Sequence, residues 1–261
     1  MSNMCTSLHP GPIYGPVHSR RLGLSLGVNL LPVTGKICTF DCAYCECGLN
    51  AERRTREGLA PREEVAGALE RQLAQMAQAG EAPDVITFAG NGEPTAHPAF
   101  PQIVDDALAL RDRYAPLAKV SVLSNGTFAA RPRVHDALMR VDDNIQKLDT
   151  VDADYIRLLD RPVGTYDAGR QIEAYAAFLG HVIIQTMFLQ GDVDGTDADN
   201  TGERYVGPWL KALGRIRPQG VMIYTVARPT PMGGLRKAPA EALDEIAARV
   251  RAMGIPVSVS Y

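Results

Sequence analysis

Residues 38–48 read CTFDCAYCECG, which gathers four of the chain's five cysteines into eleven residues. Disulfide staples, zinc knuckles and iron–sulfur clusters all use such a concentration of thiols. The N-terminal stretch MSNMCTSLHPGPIYGP has no charged start followed by an apolar run, and no long uninterrupted apolar stretch occurs further on. The expectation is a cytoplasmic chain with no membrane association, where thiols stay reduced and the cysteines serve as ligands. Zinc favours four closed ligands, commonly as two separated pairs, and no cysteine follows Cys47. Cys45 and Cys47, with only Glu46 between them, are also tightly spaced for one tetrahedral ion. An iron–sulfur cluster held by Cys38, Cys42 and Cys45 alone would leave one iron with an open position, where chemistry can occur.

The chain has 261 residues, of which 46% are hydrophobic and 22% charged, enough apolar material for a sizeable core. Its formal net charge of −3 does not favour nucleic acid, so a polynucleotide partner would need a local basic patch. Short apolar runs alternate with amphipathic segments, the pattern of a parallel sheet with crossover helices. Strands are expected at 24–31, 84–89, 118–123, 144–148, 181–189, 220–225 and 255–260. Helices are expected at 61–79, 100–114 and 240–253, the first placing Val65, Leu69, Leu73 and Met76 on one face. Right-handed crossovers would curl these strands into a full or partial barrel. The stretch GDVDGTDADN, residues 191–200, reads as a solvated acidic loop. It is a poor calcium loop, because Asp197 stands where an EF-hand needs glycine.

Cys38, Cys42 and Cys45, with Tyr44 before the last, match the C-x-x-x-C-x-aromatic-C signature, and on it the chain resembles the radical SAM superfamily. The resemblance implies an α/β fold, a partial (β/α)6-type TIM barrel with short N- and C-terminal extensions. Residues 1–23 would form an arm packed on the barrel and 24–261 the barrel domain. It also implies two cofactors, a 4Fe-4S cluster on the three cysteines and S-adenosyl-L-methionine (SAM) on the fourth iron. Reductive cleavage of SAM would give a 5′-deoxyadenosyl radical that abstracts hydrogen from a small molecule, a peptide or an RNA base. A flavodoxin- or ferredoxin-type protein would donate the electron.

Other pieces fall in order at strand ends. AGNGEPT, residues 89–95, is similar to the family's GGE element and implies that Gly90, Asn91, Gly92 and Glu93 meet the methionine ammonium. LSNGT offers Ser124 and Asn125 to ribose hydroxyls or a carboxylate, and QKLD offers Lys147 as a cation for the SAM carboxylate. Gln185, a polar insertion in the next strand, reads equally as a contact to cofactor or substrate and as a hydrogen-bonded polar residue of the barrel core, and Tyr44 would lie by the adenine. SRRLGLSLG (19–27) and IYTVARPTP (223–231) look like the branch that includes the tRNA wyosine-synthesis enzyme and many bacterial relatives of unassigned role. Arg20, Arg21, Tyr224 and Arg228 are accordingly candidate substrate contacts. The cysteines outside the motif, Cys5 and Cys47, are too few for the second cluster of the wyosine enzyme. Competing readings are a glycyl-radical-enzyme activase and a non-catalytic iron–sulfur or zinc-binding protein.

Overall fold

A computed structural model describes residues 7–19 and 21–261; Cys5 and Arg20 lie outside the described residues. Seven strands run parallel: β2 (Gly23–Val28), β3 (Val85–Phe88), β4 (Lys119–Ser124), β5 (Asp143–Lys147), β6 (Ile183–Met187), β9 (Gly220–Tyr224) and β11 (Val257–Ser260). Each falls in or overlaps an apolar run picked out above. They stand side by side in the order β2-β3-β4-β5-β6-β9-β11, curled into a half-barrel. The expected partial barrel is therefore the fold.

The sheet has two unlike faces. Val28, Phe88, Val122, Ile184 and Ile223 point outward into the main core beneath the helices. Alternate residues point inward and pair with one another: Ser25 Oγ lies 2.8 Å from Thr87 Oγ1, and Ser121 Oγ donates to Asp143 Oδ2 at 3.0 Å. These four polar side chains thus belong to the concave face, where they bond one another.

Outside the sheet lie α1 (Arg62–Gln78), α2 (Phe100–Tyr114), α3 (Pro132–Leu138), α5 (Ala168–Ala176), α6 (Glu203–Ile216) and α7 (Ala240–Ala252). Pro61 sits at the N-cap of α1, one position earlier than a first-turn proline. The buried residues of this helix are Val65, Leu69, Leu73 and Met76, and Gly80 follows its end at φ +72°. Between β5 and α5, α4 (Ala153–Tyr155) runs into a π-helical turn, Ile156–Asp160. No helix among the described residues is long and apolar enough to cross a membrane.

Two regions differ from expectation. β1 (Ile13–Ser19) pairs antiparallel with β2 and extends the sheet to eight strands. It shows no apolar run, because residues 15–18 are exposed. The acidic stretch after β6 is not a loop. β7 (Leu189–Val193) and β8 (Thr196–Asp197) form a hairpin, and β10 (Leu235–Lys237) flanks β7. The hairpin turns through Asp194 and Gly195, at φ +51° and +79°, the paired left-handed conformation that Asp-Gly favours. The expected strand 181–189 therefore splits, its first part in the barrel and its end turning into this small sheet.

Leu69 is 1% exposed in the α1 interface. Leu69→Ala is expected to cost about 2–5 kcal/mol of stability, read as a lower urea midpoint with an unchanged m value.

Candidate active site

The cysteine loop leaves the C-terminal end of β2 and is clamped on both sides by other backbones. On one side the Ile37 amide donates to Asn91 O at 3.0 Å and the Glu93 amide to Ile37 O at 3.0 Å. This clamp needs a glycine: Gly92 has φ +136°, and a Cβ there would lie 1.9 Å from Ile37 O. On the other side the Asp41 amide donates to Asp160 O at 3.1 Å and the Ala43 amide to Leu159 O at 2.8 Å, so the π-helical turn braces the loop. Inside, Cys45 N donates to Cys42 O at 3.1 Å and Gly48 N to Cys45 O at 2.9 Å. Cys38, Cys42 and Cys45 are free, half-buried thiols, brought together by these turns. Among the described residues no three His, Cys, Asp or Glu side chains converge on a point that would hold a single metal ion. A polynuclear cluster takes its thiolates on different irons and needs no such convergence.

Burial governs the thiols. It pushes Cys38 up to about 12 and Cys42 well above the ordinary thiol value. Cys45 is pulled down to about 6 by a hydrogen bond from Cys47 and by Lys36 nearby. Lys36 has a side chain only 1% exposed and donates to Gly48 O at 2.8 Å. Burial works against its charge, but Cys45, Cys38 and Cys42 outweigh that and raise its pKa. Cys47 is buried, with its Sγ 3.2 Å from Gly90 O. Asn125 reaches the cysteines directly, with Nδ2 3.6 Å from Cys38 Sγ and 2.8 Å from Thr39 Oγ1.

The end of β3 carries Gly90, Asn91, Gly92 and Glu93 to this loop. Glu93 is 2% exposed and ties β3 to β4: Oε1 accepts from Thr95 N at 3.0 Å and Ser124 Oγ at 2.9 Å, and Oε2 from Asn125 N at 2.7 Å. Burial raises its pKa and these bonds pull against it. Asn91 spends its side chain within the protein, donating to His9 O at 3.1 Å and Pro32 O at 2.8 Å while accepting from His9 N at 2.8 Å.

Across the barrel mouth, Lys147 at the end of β5 meets Tyr44 OH, Asp149 Oδ2 and, at 2.8 Å, Asp160 Oδ1. Tyr44 also donates to Asp149, whose Oδ1 accepts from Met187 N at 2.9 Å. Gln185 stands beside Lys147 in the sheet register, and its buried Nε2 has no partner among the described residues. The described candidate substrate contacts, Arg21, Tyr224 and Arg228, line one small cavity with Tyr44 and Glu46. Arg228 pairs with Glu46, and Arg21 lies over the Tyr224 ring at 4.7 Å from its centroid.

Lys36, Asp149 and Asp160 are site residues that sequence reasoning missed. Asp149 carried a signal, standing two positions after Lys147 in QKLD. Asp160 arrives from a separate turn and had none. Burial raises the Asp160 carboxyl to about 7, with Lys147 opposing the rise and Asp149 adding to it. Its folded value lies above the unfolded one, so charging it penalises the fold as pH climbs from the ordinary aspartate range through 7. Asp160→Asn, neutral throughout, is expected to be less costly at about pH 8 than at about pH 5 in urea denaturation of the metal-free chain. Equal cost at both would contradict this account.

No family model matches the chain. Over 222 residues it is 28% identical to the GTPase Obg of Brachyspira hyodysenteriae, covering 84% of this chain but only 30% of that protein. Over 229 residues it is 30% identical to a UPF0026 protein of Synechocystis sp., covering 84% of this chain and 77% of the relative. Among solved structures the fold is similar to a radical SAM methyltransferase from Sphaerobacter thermophilus, with TM-score 0.67 and 19% identity, over 91% of this chain and 66% of that one. It is also similar to Streptococcus suis SuiB bound to S-adenosylmethionine, with TM-score 0.64 and 13% identity, over 90% of this chain and 50% of that one. The chain thus spans two thirds or less of these solved neighbours and under a third of the Brachyspira protein, while it covers most of the Synechocystis relative. By that last likeness the chain belongs to the UPF0026 family.

Proposed function

We propose that the chain is a radical SAM enzyme in which Cys38, Cys42 and Cys45 hold a 4Fe-4S cluster and the fourth iron takes SAM. The observation that carries this reading is three free thiols in one clamped loop at the C-terminal end of a parallel half-barrel. That is where such barrels assemble their active sites. The residues present fit the group: Asn125 offers an N–H to Cys38, and Lys36 sets a positive charge among the thiols. When bound, the cluster would supply the single electron that cleaves the sulfonium of SAM.

The chain's own residues orient and shelter the cofactor. Gly90 and Gly92 shape the strand end that would meet it, giving up their side-chain space to Asn29 and Ile37 O. Glu93 Oε2, with one protein donor, keeps a lone pair for an ammonium. Tyr44 is fixed by Lys147 and Asp149 beside the cysteines, which suits it to line the adenosine. Lys147 is shared by two carboxylates, so it would meet a SAM carboxylate only as part of that group. Gln185 Nε2 is a donor still to be used. The low-potential electron would come from a flavodoxin- or ferredoxin-type protein. SRRLGLSLG and IYTVARPTP support a place near the wyosine branch, with a small molecule, peptide or RNA base as substrate.

Anaerobic reconstitution with iron and sulfide, followed by SAM and dithionite, is expected to yield 5′-deoxyadenosine by mass spectrometry. A variant with Cys38, Cys42 and Cys45 all replaced by alanine should yield none. A chain that takes up no sulfide-bridged iron would overturn the proposal.

A further inference from the structure

An ammonium is costly to bury unless opposite charge surrounds it. The Lys36 side chain is 1% exposed, yet its protein partners are few. Nζ donates to Gly48 O at 2.8 Å and lies 3.8 Å from Asp41 Oδ1. That carboxylate is already engaged, since Oδ1 accepts from Asn50 N at 2.7 Å and Oδ2 lies 3.6 Å from Arg161. One long, shared ion pair leaves most of the burial cost unmet. The remaining groups around the ammonium are Cys45, which hydrogen-bonds it, and Cys38 and Cys42.

The backbone explains this placement. Lys36 directly precedes Ile37, where the loop is clamped to Gly92, and Gly48 follows the last turn of the loop. The Nζ to Gly48 O bond therefore joins the two ends of the loop, with the charge held inside it. Lys147, the other buried lysine nearby, is different. Asp149 and Asp160 both contact it, so the charge it brings to bear on Cys42 is opposed there by Asp160.

We propose that Lys36 is a fixed countercharge for the cluster, favouring its reduced and more negative state. This rests on the cluster reading above. A 4Fe-4S core on three thiolates takes one electron from an external low-potential donor and gains one negative charge, with no proton and no bond change in the protein. A cation held in a poorly solvated loop beside it stabilises the reduced form more than the oxidised form and raises the midpoint potential. The lysine thus makes the cluster easier to reduce.

Lys36→Gln removes the charge and retains a donor for Gly48 O. Wild type and variant are reconstituted with iron and sulfide and titrated with dithionite, without SAM, while electron paramagnetic resonance follows the reduced cluster. The expected result is a midpoint potential shifted to more negative values in Lys36→Gln at equal iron and sulfide content. An unchanged potential at equal loading overturns the proposal. If the variant loads no cluster, thermal melting of the metal-free chains decides. An unchanged melting temperature means that the folded loop needs the charge to accept the cluster, as proposed. A lowered one makes Lys36 a folding residue and overturns it. Failure of wild type to take up a cluster is a separate outcome, which removes the cluster reading itself.

Discussion

The missing side chain at Gly92 is the constraint from which the site is built. It lets Ile37 press its carbonyl against β3, closing two backbone hydrogen bonds at 3.0 Å that fix the residue just before Cys38. The next residue, Glu93, beyond the end of β3, sends its carboxylate across to Ser124 and Asn125 at the end of β4. Asn125 then returns to Thr39 and Cys38. These contacts form a closed circuit through the loop and two strand ends, in which displacement of any member strains the others. A side chain at position 92 would open it at the tightest point.

The two buried lysines show how charge is divided around that circuit. Lys147 is outnumbered by Asp149 and Asp160, and the Asp160 carboxyl is raised first by burial and further by Asp149, with Lys147 opposing. Lys36 instead has a distant, shared carboxylate and three thiols. The first arrangement completes its charge balance within the protein. The second is balanced only when the thiols are ionised, which is the state in which they bind metal.

Legibility in the sequence followed burial. The seven parallel strands are covered by helices on one face, so they read as apolar runs, and α1 shows its buried stripe at helical spacing. β1 was hidden because its middle residues face solvent. The β7–β8 hairpin was hidden by its acid-rich composition, although Asp194 and Gly195 are a turn signal once strands are allowed on either side. At the site, the cysteines and the glycine-rich strand end have local spacing that can be read. Asp160 joins Lys147 only through the tertiary course of the π-helical turn, and Lys36 is one unremarkable residue before an apolar one. Charges that meet across a fold leave no periodicity behind.

The cysteine loop is held from outside as well as by its own turns. β3 holds one side and the turn after α4 the other, and the N-terminal segment covers it. Ser7 N donates to Glu46 O at 3.2 Å, while His9 is locked to Asn91 and stacks on Tyr14 with ring centroids 3.7 Å apart. Tyr14 in turn lies over Gly27, where a Cβ would fall 2.1 Å from its ring. A small zinc finger orders its backbone as it takes metal, so binding and folding are one event. Here the frame around the thiols is drawn from barrel contacts on both sides of the loop. The free energy of loading a cofactor into such a loop goes into ligation and charge rather than into fixing the chain, which is why the electrostatics of Lys36 and its neighbours count for so much there.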